Sequence, residues 1–438
     1  MRRNAVLFVA ISLLSGFGST TMALAVSIWL LDLTGSSSRA ALAGLCVYAP
    51  TLAGPWLGGI LDRLPRRPVV VAVNLGLAAA LLCLLAVRTA ADAWLLFAVS
   101  LCYGLSYVLI DAGESALLPR ALGAGRLADV NGWRSSAQEG AKLVAPLVGA
   151  GLYAWRGGHL VALVSAALPV LVALLYLTVR LTDPPPAPSA PVSDGAPDIA
   201  PGDAAATVGA APDGVPGTAC TALPTGRDRG LRAGLRVLRR DPVLRRSVGL
   251  AAVVIALSGF TTAPLFQVVT VDLRLPSTFL GVLASAQGAG SLVAGVVVGR
   301  LITRHGPVPV AVGGAVLFAV SCLLRCAPWW PVTVAAGVLA GIGLPVALVA
   351  AVTTVQTRTP EPLLGRVAAT ANTAMFGPVA AAIPLGSVAV HLGGRPPFVV
   401  AAVVSLVAAA VAVRRRGCPL PGAEPVLTAS GVRRPVRR

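Results

Sequence analysis

Charge is what this chain of 438 residues has least of: 12% of its residues are charged and 56% are hydrophobic, with a mean hydropathy of +0.82. So few charges could not cover a soluble protein of this length, which excludes that class. Lysine is reduced to one residue, Lys142, so nearly all of the 35 basic residues are arginine. Histidine is reduced to His159, His305 and His391, each near a helix end. No nucleophile–base set, nucleotide-binding loop or metal spacing can be assembled, so the expectation is no enzyme, no cofactor and no metal. The seven cysteines are odd in number. Cys46, Cys83, Cys102 and Cys322 lie in apolar runs and read as small apolar fillers. Cys322 and Cys326 stand four apart without a histidine or carboxylate beside them. Acid is nearly absent from the second half, where only Glu361 and Glu424 follow Asp272.

Long apolar runs are abundant. A spanning helix needs about 20 such residues, and twelve candidates appear: 5–31, 40–60, 68–87, 93–117, 130–154, 159–179, 247–271, 278–299, 307–326, 331–356, 366–391 and 397–413. The start, with Arg2, Arg3 and Ala23-Leu24-Ala25, has the outline of a secretory signal. Its apolar run continues to Leu31, too long for one, so it reads as an uncleaved first span. Connections on the side away from the termini hold one arginine each: Arg39, Arg88, Arg156, Arg274, Arg325 and Arg395. All other arginines fall on the termini side. The positive-inside rule then places both termini in the cytoplasm of a multi-pass cell-membrane protein. This partition explains the net charge of +18 without nucleic acid as a partner.

Residues 1–182 form one six-span bundle and 183–229, rich in Pro, Ala, Gly and Asp, a disordered cytoplasmic linker. Residues 230–413 hold an amphipathic helix and the second bundle. Leu231, Leu235 and Leu238 recur at helical spacing among arginines, which suits the anionic inner leaflet, where each arginine contributes about 1 kcal/mol. A basic tail, 414–438, follows.

The halves repeat. The loop Gly58-Gly59-Ile60-Leu61-Asp62-Arg63-Leu64-Pro65-Arg66-Arg67 returns as Gly299-Arg300-Leu301-Ile302-Thr303-Arg304-His305-Gly306, a shift of 241. Asp32-Leu33 and Asp272-Leu273 differ by 240, as do Gly125-Arg126-Leu127-Ala128 and Gly365-Arg366-Val367-Ala368. Two six-helix bundles related by a pseudo-twofold along the membrane normal form a transporter architecture. The Gly58–Arg67 loop resembles the Gly-x-Leu-Ala-Asp-Arg-x-Gly-Arg-Lys loop of the major facilitator superfamily, with Pro65 in place of glycine and Arg67 in place of lysine. Leu31–Ser36 and the Gly-Arg-Val before span eleven resemble its macrolide and siderophore exporters. The resemblance implies an all-α integral membrane fold of twelve helices and alternating access. It also implies a gating loop, here Gly58, Asp62, Arg63, Arg66, Arg67 and Arg304, in which Asp62 braces the helix N-terminus near Arg366 when the cytoplasmic side closes. Ala145-Pro146-Leu147-Val148-Gly149-Ala150-Gly151 is similar to the family's antiporter signature, with two alanines replacing glycines. The family's buried span-four arginine is missing.

The site residues follow from charge in apolar runs. On span five, Arg134, Gln138, Glu139 and Lys142 fall within an arc of about 140°. Glu139 lies about 15 Å and Lys142 about 20 Å from the helix start, a depth at which charges face cavities or partners. A Glu–Lys pair whose burial changes can carry and release a proton. Asp111 and Glu114 share a face near the end of span four, where solvated charges are the first expectation and a proton relay toward Glu139 the second. The second half offers neutral contacts, with Gln267, Gln287, Asn372 and Phe376 as substrate candidates. The sequence therefore points to a secondary exporter of an amphipathic small molecule of the antibiotic or siderophore class, exchanging it for protons. An importer or facilitator of the same fold is the first alternative, and a membrane protein without transport the second.

Overall fold

The computed structural model describes residues 2–53, 65–122, 127–180, 236–359 and 361–414. Gly58, Asp62 and Arg63 of the expected gating loop, the linker 183–229, the amphipathic segment up to residue 235 and the tail from 415 lie outside the described residues.

The described residues are helical, without strands. In order they are α1 (Arg2–Thr34), α2 (Ser37–Tyr48), α3 (Arg66–Cys83), α4 (Ala93–Leu122), α5 (Leu127–Thr178), α6 (Pro242–Phe260), α7 (Thr262–Gln267), α8 (Phe279–His305), α9 (Pro307–Leu324), α10 (Trp330–Arg358), α11 (Glu361–Phe376), α12 (Val379–Ala389) and α13 (Pro396–Arg414). Ten stretches among them are long and apolar enough to cross a membrane. The twelve expected spans reduce to ten for two local reasons. Spans five and six run together in α5, where Gly157, at φ 72, makes the break between them; a positive φ is open to glycine at little cost. Span two is described only as far as the turn Ala49–Ala53 after α2. Spans seven and eleven are each interrupted. α6 ends at Thr261 and continues as α7 and a π turn at Val268–Asp272; α11 and α12 part before Pro378.

Hydrogen bonds identify the two ends of the bundle. At one, Arg3 donates to the Thr178 carbonyl (2.9 Å), and Asn4 donates to those of Ala121 and Arg180. This terminal face gathers the start of α1 and the ends of α4 and α5. At the opposite face His159 meets the Val87 carbonyl at 2.7 Å and stacks edge-on against Trp29, and Tyr153 donates to Asp32. Exposed Trp94, Trp155, Trp329 and Trp330 lie there, as expected of rings at a membrane–water interface.

The duplication is visible in the packing. Gly104 of α4 lies against the Val47 carbonyl of α2, and Gly341 of α10 against the Gln287 carbonyl of α8, each so close that a Cβ would sit about 2 Å from the oxygen. Corresponding helices thus cross through a glycine in each half, the small-residue packing expected where apolar burial gives helices no mutual attraction. Leu238, from the stretch expected to lie on lipid, is buried against Leu244, Val248 and Val355 of the second half.

The halves meet toward the opposite face. One apolar cluster there takes Ile28, Leu30, Ala40 and Leu81 from the first half with Phe266, Val269, Leu280 and Leu283 from the second. Ser37 donates to Gln267 Oε1 (2.9 Å) and Ser38 to the Ser387 carbonyl (2.6 Å) across the boundary. Toward the terminal face the cluster of Phe8, Ile11, Val70, Leu117 and Tyr176 is built from the first half alone.

Candidate functional site

Two helical stripes build the site. α4 presents Tyr103, Tyr107, Asp111 and Glu114, at i, i+4, i+8 and i+11, and α5 presents Asn131, Arg134, Ser135, Gln138 and Lys142, at i, i+3, i+4, i+7 and i+11. Each set repeats at the helical period and so shares one face. With Ser12, Ser15 and Ser19 of α1 and Asn74 and Leu77 of α3, they line a cavity of about 430 Å³. Every lining residue belongs to the first half. The polar groups cluster because charges inside a membrane bundle persist only where they face a cavity or each other.

Arg134 organises the terminal side of this cavity. Its Nη2 meets Glu114 Oε2 at 2.6 Å, its Nε donates to Ser12 Oγ at 2.8 Å and its Nη1 to Asn131 Oδ1 at 3.3 Å. Glu114 is 8% exposed, which corrects the first expectation of a solvated helix end. The physical reason is that α4 runs on to Leu122, about two turns past Glu114. One turn or so farther along α5, Lys142 donates to Glu139 at 2.6 Å, with side chains 52% and 36% exposed. The two pairs therefore differ in medium: one is dry and held on several sides, the other wet.

Counting charges, Asp111, Glu114 and Glu139 face two cations, Arg134 and Lys142. Asp111 is the carboxylate left over. It is exposed to the cavity and has no ion pair or hydrogen bond among the described residues.

The remaining residues singled out in the sequence are placed as follows. Gln138, Lys142, Asp111 and Glu114 line the cavity, and Glu139 adjoins it through Lys142. Arg67 donates to the Leu177 carbonyl and so ties α3 to the end of α5. Arg304 is exposed in the last turn of α8. Gln267 is at the boundary between halves, holding Ser37. The Gln287 backbone packs on Gly341, Asn372 is exposed on α11, and Phe376 is half-buried against the second-half core. These four second-half residues do not line the cavity. Sequence reasoning missed Tyr103, Tyr107, Asn74 and Ser12. The α4 stripe was available to it, since both tyrosines precede Asp111 at whole-turn spacing; the α1 and α3 contributions depend on how separate helices pack. No group of three or more His, Cys, Asp or Glu side chains able to hold a metal occurs among the described residues.

The Ala145–Gly151 stretch seats α5 between two neighbours. Thr21 of α1 donates to the Ala145 carbonyl (3.2 Å) and lies over Gly149. Pro146 and Ala150 meet Gly281 of α8 in the other half, and the Lys142 carbonyl meets Gly288. The charged pair therefore sits where the contact between halves ends. Beyond it toward the terminal face, Asn131, Gly132, Trp133, Ser135 and Ser136 are exposed, with open space over Gly132, Gly295 and Gly299.

Solved structures share this architecture. A bacterial homologue of the iron transporter ferroportin, in an inward-facing state, aligns over 95% of this chain and 100% of its own at 16% identity and a TM-score of 0.65. The nucleoside transporter NupG aligns over 95% and 100% at 16% identity and 0.66. A bacterial homologue of the human lysosomal transporter Spinster, inward-facing and occupied, aligns over 94% and 96% at 15% identity and 0.62. At these identities the likeness is one of fold. No curated protein matches the chain. A family model described as the Major Facilitator Superfamily matches residues 8–263 and 248–438. With both halves matched, the chain belongs to the major facilitator superfamily, a multi-pass membrane protein with a transporter's fold and a role in transport rather than catalysis.

Proposed function

We propose that the protein is a secondary exporter that moves an amphipathic small molecule out of the cell in exchange for protons. The observation that carries this reading is the cavity with the pair that adjoins it: among the described residues, three carboxylates against two cations, at the depth where the halves part, on the side of the arginine-rich face. An odd carboxylate beside a half-exposed Glu–Lys pair is a place where a proton can be held in one state and released in another, because changes in burial and in nearby charge shift carboxyl pKa values. The arginine partition supports a cytoplasmic terminal face in the cell membrane, and the half-to-half contact at the opposite face supports an inward-open state. In the second state Asp62 braces the cytoplasmic ends, and Asn372 and Phe376 contribute contacts from the other half. The arginine-flanked segment that follows the linker, 230–240, and the basic tail bind anionic lipid.

A susceptibility panel in a host expressing wild type or Glu139→Gln tests the reading, with and without a protonophore. Wild type should protect against at least one amphipathic compound, and both the protonophore and Glu139→Gln should remove that protection. Full protection by Glu139→Gln at every pH rejects the coupling. Proton-driven accumulation of the compound into the cell reverses the direction.

A further inference from the structure

We propose that the first-half cavity binds a protonated primary or secondary amine, with Asp111 as its counter-ion. The proposal rests on reading this cavity as the transport site, and it names the chemical class of the cargo.

The cavity and the pair beside it hold one carboxylate more than cations among the described residues. Glu114 is nine-tenths buried and engaged: its Oε2 takes Arg134 at 2.6 Å. The Tyr176 hydroxyl, also buried, stands beside the Glu114 carboxyl as its second donor. Asp111, one turn away on the same face of α4, lines the cavity and has no ion pair or hydrogen bond among the described residues. The cations are engaged: Arg134 by Glu114, Ser12 and Asn131, and Lys142 by Glu139. An anionic ligand would have to break one of these pairs, whereas a cationic ligand completes the count. A carboxylate that a ligand covers from water without giving it a donor is costly, so the cation that fits Asp111 is one that brings N–H groups. A quaternary ammonium brings the charge without them. Tyr107 and Tyr103, one and two turns before Asp111, offer ring faces to the cation and to its apolar body, and Leu77 and Leu168 complete an apolar wall.

The test is equilibrium binding to the purified full-length protein in nanodiscs, with no gradient. The probes are monodansylcadaverine, which carries a primary amine, and its N-trimethyl and N-acetyl analogues. The primary amine should bind about tenfold or more tightly than the trimethyl analogue, the difference expected for a charged acceptor left unpaired, and the N-acetyl analogue should bind more weakly still. Asp111→Asn should weaken the primary amine by about tenfold or more. The analogue comparison uses wild-type protein, so it stands even if the variant fails to fold. Equal affinity for the amine and the trimethyl compound overturns the proposal, as does unchanged amine affinity in a folded Asp111→Asn. Amine binding by a protein that does not pump keeps this inference and rejects coupled export. Pumping of amine-free compounds without probe binding does the reverse.

Discussion

Arg134 and Lys142 lie on one stripe of α5, yet the same substitution at each should have different consequences. The Arg134–Glu114 pair has side chains 17% and 10% exposed. Removing one partner of such a pair leaves the other charge uncompensated in a dry site, at a cost of about 3–5 kcal/mol. Arg134→Met should therefore lower the unfolding midpoint in a denaturant titration in detergent by a corresponding amount. The double variant Arg134→Met with Glu114→Leu should recover most of the loss, because no charge is then stranded. The Lys142–Glu139 pair is more than a third exposed on both sides, so solvent screens it, and Lys142→Met should change stability by about 1 kcal/mol or less. A large loss at Lys142 and none at Arg134 would reverse the assignment of dry and wet pairs. Composition alone revealed Lys142, the chain's one lysine. It could not reveal which acid each base would choose. Glu114 is 20 residues from Arg134, and only the packing of α4 on α5 brings them to 2.6 Å.

At the scale of helices, the crossing of α5 over α8 is held by absent side chains. A Cβ on Gly288 would sit 2.6 Å from the Lys142 carbonyl, and one on Gly281 2.4 Å from Ala150 Cβ and 2.8 Å from the Pro146 carbonyl. Carbonyls of a helix cannot rotate aside as a side chain can, so Gly288→Val must push the halves apart where they now meet. Its expected outcome is a folded protein, judged by helical circular dichroism, whose opposite-face positions such as Ser38→Cys label with a membrane-impermeant thiol reagent faster than in the parent. Unchanged labelling would mean that the crossing tolerates bulk. Length and hydropathy were enough to place the spans, because a membrane helix is a one-dimensional signal. The interruptions of spans seven and eleven were not legible. They follow from local backbone bends at Thr261 and Pro378, which leave the hydropathy of the run unchanged. The antiporter-like stretch at Ala145–Gly151 pointed to tight packing, but the two partners it packs against, Thr21 and Gly281, lie 124 and 131 residues from their contact points.

For the molecule as a whole, what matters is that, among the described residues, the two bundles share a contact at one face only. Duplication was legible as a shift of about 240 residues, and it reappears as a glycine crossing between corresponding helices of each half, Gly104 on Val47 and Gly341 on Gln287. The state in which the bundles stand was not legible, since the same sequence must stabilise both arrangements of an alternating carrier to within a few kcal/mol. Glycines at 281, 288 and 295 continue one seven-residue row along α8. The first two are filled by α5 and the third faces open space. If the bundles rock about the Lys142–Gly288 level, the contact must migrate along this row toward Gly295 as the opposite face opens. A cross-link at that face should then hold the protein in the present state. Ser38 and Ser387 already touch, side chain to carbonyl at 2.6 Å. Ser38→Cys with Ser387→Cys, oxidised, should stop vesicle transport while leaving amine binding from the terminal face intact, and reduction should restore transport. Gly295→Val should mimic the cross-link without one, since a side chain there meets nothing in this state and obstructs only the other. Transport that continues at full rate through an oxidised, verified 38–387 cross-link would show that the bundles do not separate at this face during the cycle.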